Sequence, residues 1–235
     1  ALDKAGVIFT TRDTVEKVQR MKVCTCLNPL HTTLAVYGCL LGYTKISDEM
    51  KDADLVKLVE IIGYKEGLPV VTDPGILSPK KFIDEVLQIR VPNPFMPDTP
   101  QRIATDTSQK LSIRFGETIK EYIARPELDV KSLKFIPMVQ AGWCRYLMGV
   151  DDEGNAFTVS PDPMYEELAP MLASVKLGEA CDVHAVLQPI LSNAKIFGVD
   201  LYEAGLGEYV ESIFAELIAG KGAVRAALKK HLAEA

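Results

Sequence analysis

The stretch Arg20–Tyr43, "RMKVCTCLNPLHTTLAVYGCLLGY", decides how the chain is read. Asn28 followed by Pro29 reads as a helix N-cap and first turn. Asparagine accepts a hydrogen bond from the orphan N–H groups there, and proline lacks the N–H that would go unpaired. The helix so started runs from Leu30 to Gly42 and is apolar nearly all round, through Leu34, Ala35, Val36, Tyr37, Cys39, Leu40 and Leu41. A helix with no polar face is a buried one. The stretch therefore predicts a core helix with Lys22, Asn28 and His31 gathered at its start.

Helical patterns extend outward on both sides. Thr11 to Asp13 caps an amphipathic helix through Val15, Val18 and Met21. Asp52 to Ile62 repeats apolar residues at helical spacing, and Ser78-Pro79 opens another helix that stops before Pro92. "NPFMPDTPQRIATDTSQKLSIRF" (93–115) starts as a loop and turns helical from about Pro100. Gly116 is expected to break that helix before "ETIKEYIA" starts a second. Lys131–Met148 is long and mostly apolar, and "GVDDEGNAFTVSPDP" (149–163) is a loop. Helices follow over Met164–Leu177, Cys181–Leu191, Gly205–Ala219 and Ala223–Ala233. Ala156–Val159 is one of few strand candidates. The fold class is mainly α: one multi-helical domain over residues 1–235.

Bulk composition excludes several classes. The chain has 235 residues, 48% hydrophobic and 25% charged, an ordinary globular balance. A net charge of −6 with no basic run argues against nucleic acid as a partner. No apolar run reaches the roughly 18 residues needed to span a bilayer, and no signal-peptide pattern opens the chain, so neither membrane nor export is expected. Five cysteines, an odd number, fit reduced thiols in the cytoplasm. The start at Ala1 fits a processed terminus, a tag remnant or a cut between domains.

Metal and nucleotide motifs are incomplete. Cys24 and Cys26 form C-x-C, and Cys181 and His184 form C-x-x-H, but neither has the spacing of a zinc site. "AGLGEYV" (204–210) and "GKGAVRAAL" (220–228) lack the third glycine and the preceding strand of a dinucleotide fingerprint. They read as helix stops followed by helix starts. No metal is expected.

Two constellations remain. Asn28 and His31, three apart, share a helix face, and Lys22 lies just upstream. A partly buried lysine can serve as a base. An asparagine at the positive end of a buried helix can hold a developing oxyanion. The three suit oxidation of a secondary alcohol; the alternative is that Asn28 only caps the helix and His31 is a core histidine. Asp98, Arg102, Asp106 and Lys110, four apart, would line one helical face. They read either as a solvated ion-pair ladder or as a cationic pair, Arg102 and Lys110, that grips substrate oxygens.

These stretches together resemble the mannitol dehydrogenase family of polyol and hexuronate long-chain dehydrogenases. The lysine, Asn-x-x-His and closing "GCLLGY" of the first stretch are similar to that family's pattern. So are "NPFMPDTPQRIATDTSQKL" (93–111), "AGWCRYLMGVDDEGNAF" (141–157) and "DLYEAGLGEYVESIFAELIAGKGAVRAALKKHL" (200–232). The resemblance covers nearly the whole chain. It implies the helical C-terminal domain, of the 6-phosphogluconate dehydrogenase C-terminal type, with an N-terminal Rossmann domain for NAD or NADP absent from this chain. By position, Lys22 would be the general base, Asn28 would stabilise the oxyanion and His31 would hydrogen-bond substrate, while Arg102 and Lys110 would contact substrate. The implied activity is NAD(P)-dependent interconversion of a hexonate or hexitol with its keto sugar. Fructuronate reductase (D-mannonate oxidoreductase) is favoured because two cations suit a sugar acid, with mannitol 2-dehydrogenase as the alternative. The chain alone is expected to be inactive. A non-catalytic helical module that binds sugar or protein is the rival from another class. One departure stands out. The family pattern has four residues between lysine and asparagine, and here there are five, "VCTCL". An extra residue turns a helical side chain by about 100°, so either a local bulge absorbs it or Lys22 is presented differently.

Overall fold

The computed structural model describes residues 2–235. Its helices, in chain order, are α1 (Arg12–Met21), α2 (Asn28–Leu40), α3 (Ile46–Glu49), α4 (Ala53–Glu60), α5 (Pro79–Glu85), α6 (Pro100–Ile103) and α7 (Glu117–Ala124). They continue with α8 (Phe135–Tyr146), α9 (Tyr165–Leu172), α10 (Val183–Leu191), α11 (Ala194–Phe197), α12 (Gly207–Leu217) and α13 (Ala223–Ala233). Among the described residues there is no strand. The expected strand at Ala156–Val159 is reduced to one isolated antiparallel bridge, Val150 with Ala156. No helix of the described residues is long and apolar enough to cross a membrane.

Two helices form the centre. Every residue of α8 is buried. Every residue of α2 is buried except Asn28 and His31. The two pack directly, because a Cβ on Gly142 of α8 would stand 3.0 Å from the Tyr37 ring of α2. The Tyr37 hydroxyl donates to the Met138 carbonyl at 3.0 Å. On its other side α8 packs against α12, which α13 covers.

Buried charges hold the ends of these helices. The Glu66 carboxylate accepts from the backbone N–H groups of Lys134, Phe135 and Ile136, each at 2.7 Å, and so caps α8. Arg145, near the other end of α8, donates to the carbonyls of Leu217 and Asp151. The Asp152 carboxylate accepts from Val224 and Arg225 at the start of α13. Each of these three side chains thereby has the partners that make its burial tolerable.

Four segments wind as π-helix, with one extra residue in the turn: Lys22–Cys26, Ile61–Gly67, Val86–Arg90 and Ser112–Gly116. The last corrects the expected break at Gly116. That glycine has helical dihedrals and leads straight into α7. It is glycine because a Cβ there would stand 2.2 Å from the Phe197 carbonyl oxygen. The helix expected from Pro100 is likewise shorter. It ends at Ile103, and Asp106 takes a left-handed φ of 54°.

Candidate active site at the start of the central helix

A π segment lies between Lys22 and Asn28. Lys22–Cys26 follows α1 without a break, and the Leu27 N–H donates to the Lys22 carbonyl at 3.1 Å. A π turn inserts one residue without ending the helix, and "VCTCL" lies in this turn and in Leu27, which follows it. The Lys22 ammonium stands 5.3 Å from the centroid of the Phe82 ring, which Arg90 approaches to 5.2 Å. Lys22 has no carboxylate partner among the described residues.

Asn28 is not a cap. The N-cap position belongs to Leu27, and Asn28 is already helical and makes no capping hydrogen bond. Among the described residues its carboxamide has no hydrogen-bond partner, so its donors and acceptor are left for something else. Its backbone carbonyl accepts from the Thr32 hydroxyl at 2.9 Å. His31, one turn on, is half-buried. Burial first, then the charges of Arg114 and Arg102, push its pKa down to about 4, so the ring is neutral at pH 7. A neutral imidazole both donates and accepts, which suits contact with an alcohol or carbonyl oxygen.

The second constellation is not a ladder. Asp98 and Arg102 do pair, but the left-handed Asp106 and the end of α6 at Ile103 take Lys110 off their face. The Arg102 side chain is 63% exposed. Lys110 donates to the Thr105 carbonyl. Burial and then the neighbouring Arg114 charge hold Lys110 below the usual lysine range, while Asp106 and Asp162 pull the other way. Ser108, two residues before it, is fixed by Asp162, which accepts from its backbone N–H at 2.8 Å.

A cavity of about 190 Å³ opens beside this helix start, lined by Leu27, His31, Ser47, Arg90, Met96 and Asp98 among others. A larger cavity, about 480 Å³, lies elsewhere between Leu147, Tyr165 and Leu172. It contains none of the five predicted residues, whereas the smaller one contains His31. The five sequence-predicted residues thus fall into two groups that the fold brings near each other. Arg102 and His31 are close enough for one charge to act on the other's pKa, and α2 packs on α6.

Arg114 escaped sequence reading. It lies in the π segment Ser112–Gly116, half-buried, and donates to the Thr32 hydroxyl on α2. The available signal was the Lys110–Arg114 spacing, since like charges four apart are unfavourable on a solvated helix face. The cysteine and histidine fragments gather no ligand set. Cys24 and Cys26 are buried, and His184 bonds to Glu211 at 2.8 Å.

Comparison with known proteins adds a family, relatives and a fold. Residues 14–218 match the model of the mannitol dehydrogenase C-terminal domain. The chain is 59% identical over 225 residues to a Thermotoga maritima protein named D-mannonate oxidoreductase, covering 96% of this chain and 42% of that protein. It is 31% identical to an Aspergillus niger protein named mannitol 2-dehydrogenase, covering 85% and 38%. Among solved structures, Pseudomonas fluorescens mannitol 2-dehydrogenase, determined with NAD and D-mannitol, superposes with a TM-score of 0.82 at 25% identity. That match covers 100% of this chain and 44% of the other. The chain therefore spans less than half the length of each of these proteins.

Proposed function

The chain belongs to the mannitol dehydrogenase family, as its C-terminal domain, and from this we propose that it is the substrate-binding and proton-transferring part of an NAD(P)-dependent hexonate or hexitol dehydrogenase. The relative at 59% identity carries the mannonate name, whereas the mannitol-named relative stands at 31%. The favoured reaction is accordingly interconversion of D-mannonate and its keto acid, fructuronate.

The observation that carries the reading is the exception within α2. In an otherwise buried helix the two residues left accessible are Asn28 and His31, at its positive end. Asn28 has a carboxamide without a partner and His31 a neutral ring. Lys22 takes the hydroxyl proton as the alcohol is oxidised and returns it on reduction. The Asn28 amide donates to the oxygen as negative charge develops on it. His31 fixes the same hydroxyl by hydrogen bond, and Arg102 and Lys110 contact the rest of the sugar chain.

The nicotinamide supplies hydride acceptance and donation. No strand, and hence no strand–glycine turn–helix unit, occurs among the described residues to hold its dinucleotide. We assign that task to a Rossmann domain in the remainder of the full-length protein, in keeping with the greater length of the relatives. Five unpaired thiols suit a reducing cytoplasm.

The test is Lys22→Ala and Asn28→Ala in the full-length protein, with mannonate and mannitol oxidation followed by nicotinamide reduction. Loss of a general base lowers kcat by roughly 10²–10⁴. Turnover unchanged in Lys22→Ala would remove that residue from the mechanism.

A further inference from the structure

We propose that Arg114, with Lys110 beside it, is the carboxylate-recognition element of this site and so the residue that sets preference for a hexonate over a hexitol. The inference rests on the dehydrogenase reading above and deepens it by naming what selects the substrate class.

The cations around the site differ in how they are compensated. Arg102 is paired with Asp98, and Arg90 with Glu85. Lys110 donates to a backbone carbonyl and has Asp106 and Asp162 within electrostatic reach. Arg114 has none of this. Its one hydrogen bond goes from Nη1 to the Thr32 hydroxyl, and among the described residues no carboxylate lies within ion-pairing distance. Burial lowers its pKa to about 10, with no opposing charge to raise it. Burial of an arginine charge becomes costly without a partner.

Its placement is fixed by Thr32 of α2, one turn from Asn28, and by Lys110. The Arg114 charge acts on both His31 and Lys110. The Arg114 N–H donates to the Lys110 carbonyl at 2.9 Å, so one turn of chain holds the two cations together. With Nη1 committed to Thr32, the Nε and Nη2 edge of the guanidinium remains, which is the two-donor edge that meets a carboxylate in parallel. A sugar acid brings the missing negative charge; a hexitol brings only hydroxyls.

The competing role is mechanical. Arg114 bonds Thr32, and Thr32 in turn bonds the Asn28 carbonyl, so the arginine could act as a strut for the helix start. A strut serves both substrates equally, whereas a carboxylate receptor serves only the acid.

The experiment measures kcat/KM for D-mannonate and D-mannitol in the full-length protein with Arg114→Gln, Arg114→Lys and Thr32→Val. Charge-assisted hydrogen bonds of this kind correspond to roughly 10- to 100-fold in affinity. Arg114→Gln is expected to lose that factor for mannonate while mannitol changes less than about threefold, the low end of a lost neutral contact. Arg114→Lys keeps the charge without the fork and is expected to fall between, and it is the variant to measure where the glutamine protein fails to fold. Thr32→Val breaks the strut but leaves the cation, so it should alter both substrates in the same proportion. Equal losses on mannonate and mannitol in the Arg114 variants, or no loss on mannonate, overturn the proposal. If the unmodified protein oxidises neither sugar, the dehydrogenase reading falls by itself. Calorimetric mannonate binding then decides: weakening of tenfold or more in Arg114→Lys supports the receptor, and unchanged or absent binding overturns it.

Discussion

Leu27 donates its backbone N–H to the carbonyl of Lys22, five residues back, at 3.1 Å. That one bond lets α1 and α2 follow each other with an extra residue between the lysine and the asparagine. It also sets where α1 points. Met21, just ahead of the bulge, is fully buried, and Arg20 reaches Glu117 at 2.8 Å and Glu121 at 3.4 Å.

Deleting Val23 tests whether the bulge is built into the fold. The shortened segment would wind as regular α-helix and rotate α1 by about 100° relative to α2. Met21 would leave the core and Arg20 would leave its carboxylates. Losing a buried methionine costs about 2–5 kcal/mol, which for a chain of this size lowers the melting midpoint by roughly 10 °C. Calorimetric melting of the deletion variant at the parent temperature, with activity intact, would show that the fifth residue is dispensable.

Gly116→Ala should be among the most damaging single methyl additions. The new Cβ would meet the Phe197 carbonyl oxygen at 2.2 Å and its carbon at 3.0 Å, both backbone atoms that cannot rotate away. The expected loss is about 3 kcal/mol. Gly42→Ala is the control, because φ is +77° there with nothing within 4 Å, and it should lose only about 1 kcal/mol. Denaturant midpoints at constant slope read both, and equal losses would contradict the packing argument.

Much of this was legible in the sequence, and the rest was hidden for physical reasons. Local signals worked where they are local. Thr11 and Ser78 cap their helices through their own side chains, and the apolar run of α2 announced its burial. Asn28-Pro29 misled because Asn-Pro fits either N-cap and N1 or N1 and N2, and only the fold moves the cap back to Leu27. π turns leave no separate periodicity. Gly116 looked like a breaker because the Phe197 carbonyl that demands it comes from far along the chain. Arg114 gave no local signal of its own because its burial and its bond to Thr32 are tertiary.

The five thiols should separate sharply in reactivity. Burial pushes Cys26, Cys39 and Cys144 up to about 12 and raises Cys24 as well, so almost no thiolate forms at pH 8. Cys181 alone of the five is not buried. With Ellman's reagent one thiol should react quickly in the native protein and the other four only on unfolding. Cys181→Ser should abolish the fast phase; its survival would mean that one of the core thiols is accessible.

Glu49 should make the protein less stable in alkali than its surface charges predict. Its side chain is fully buried, both carboxylate oxygens lack partners, and Oε1 lies against Gly38 of the central helix. Burial, with the nearby Asp52 charge adding to it, pushes the pKa up to about 9. The folded protein therefore keeps the proton, while the unfolded chain releases it above about 4.5. Stability from this group is whole below the unfolded value and is lost as pH rises toward the folded one. At pH 7 the loss is on the order of 3 kcal/mol. Glu49→Gln keeps the shape and removes the titration, so the variant should melt higher than the parent at pH 8 and nearly level with it at pH 4.5. A parent-to-variant difference that does not change across that range would mean that Glu49 is ionised in the folded state, with a partner that satisfies it.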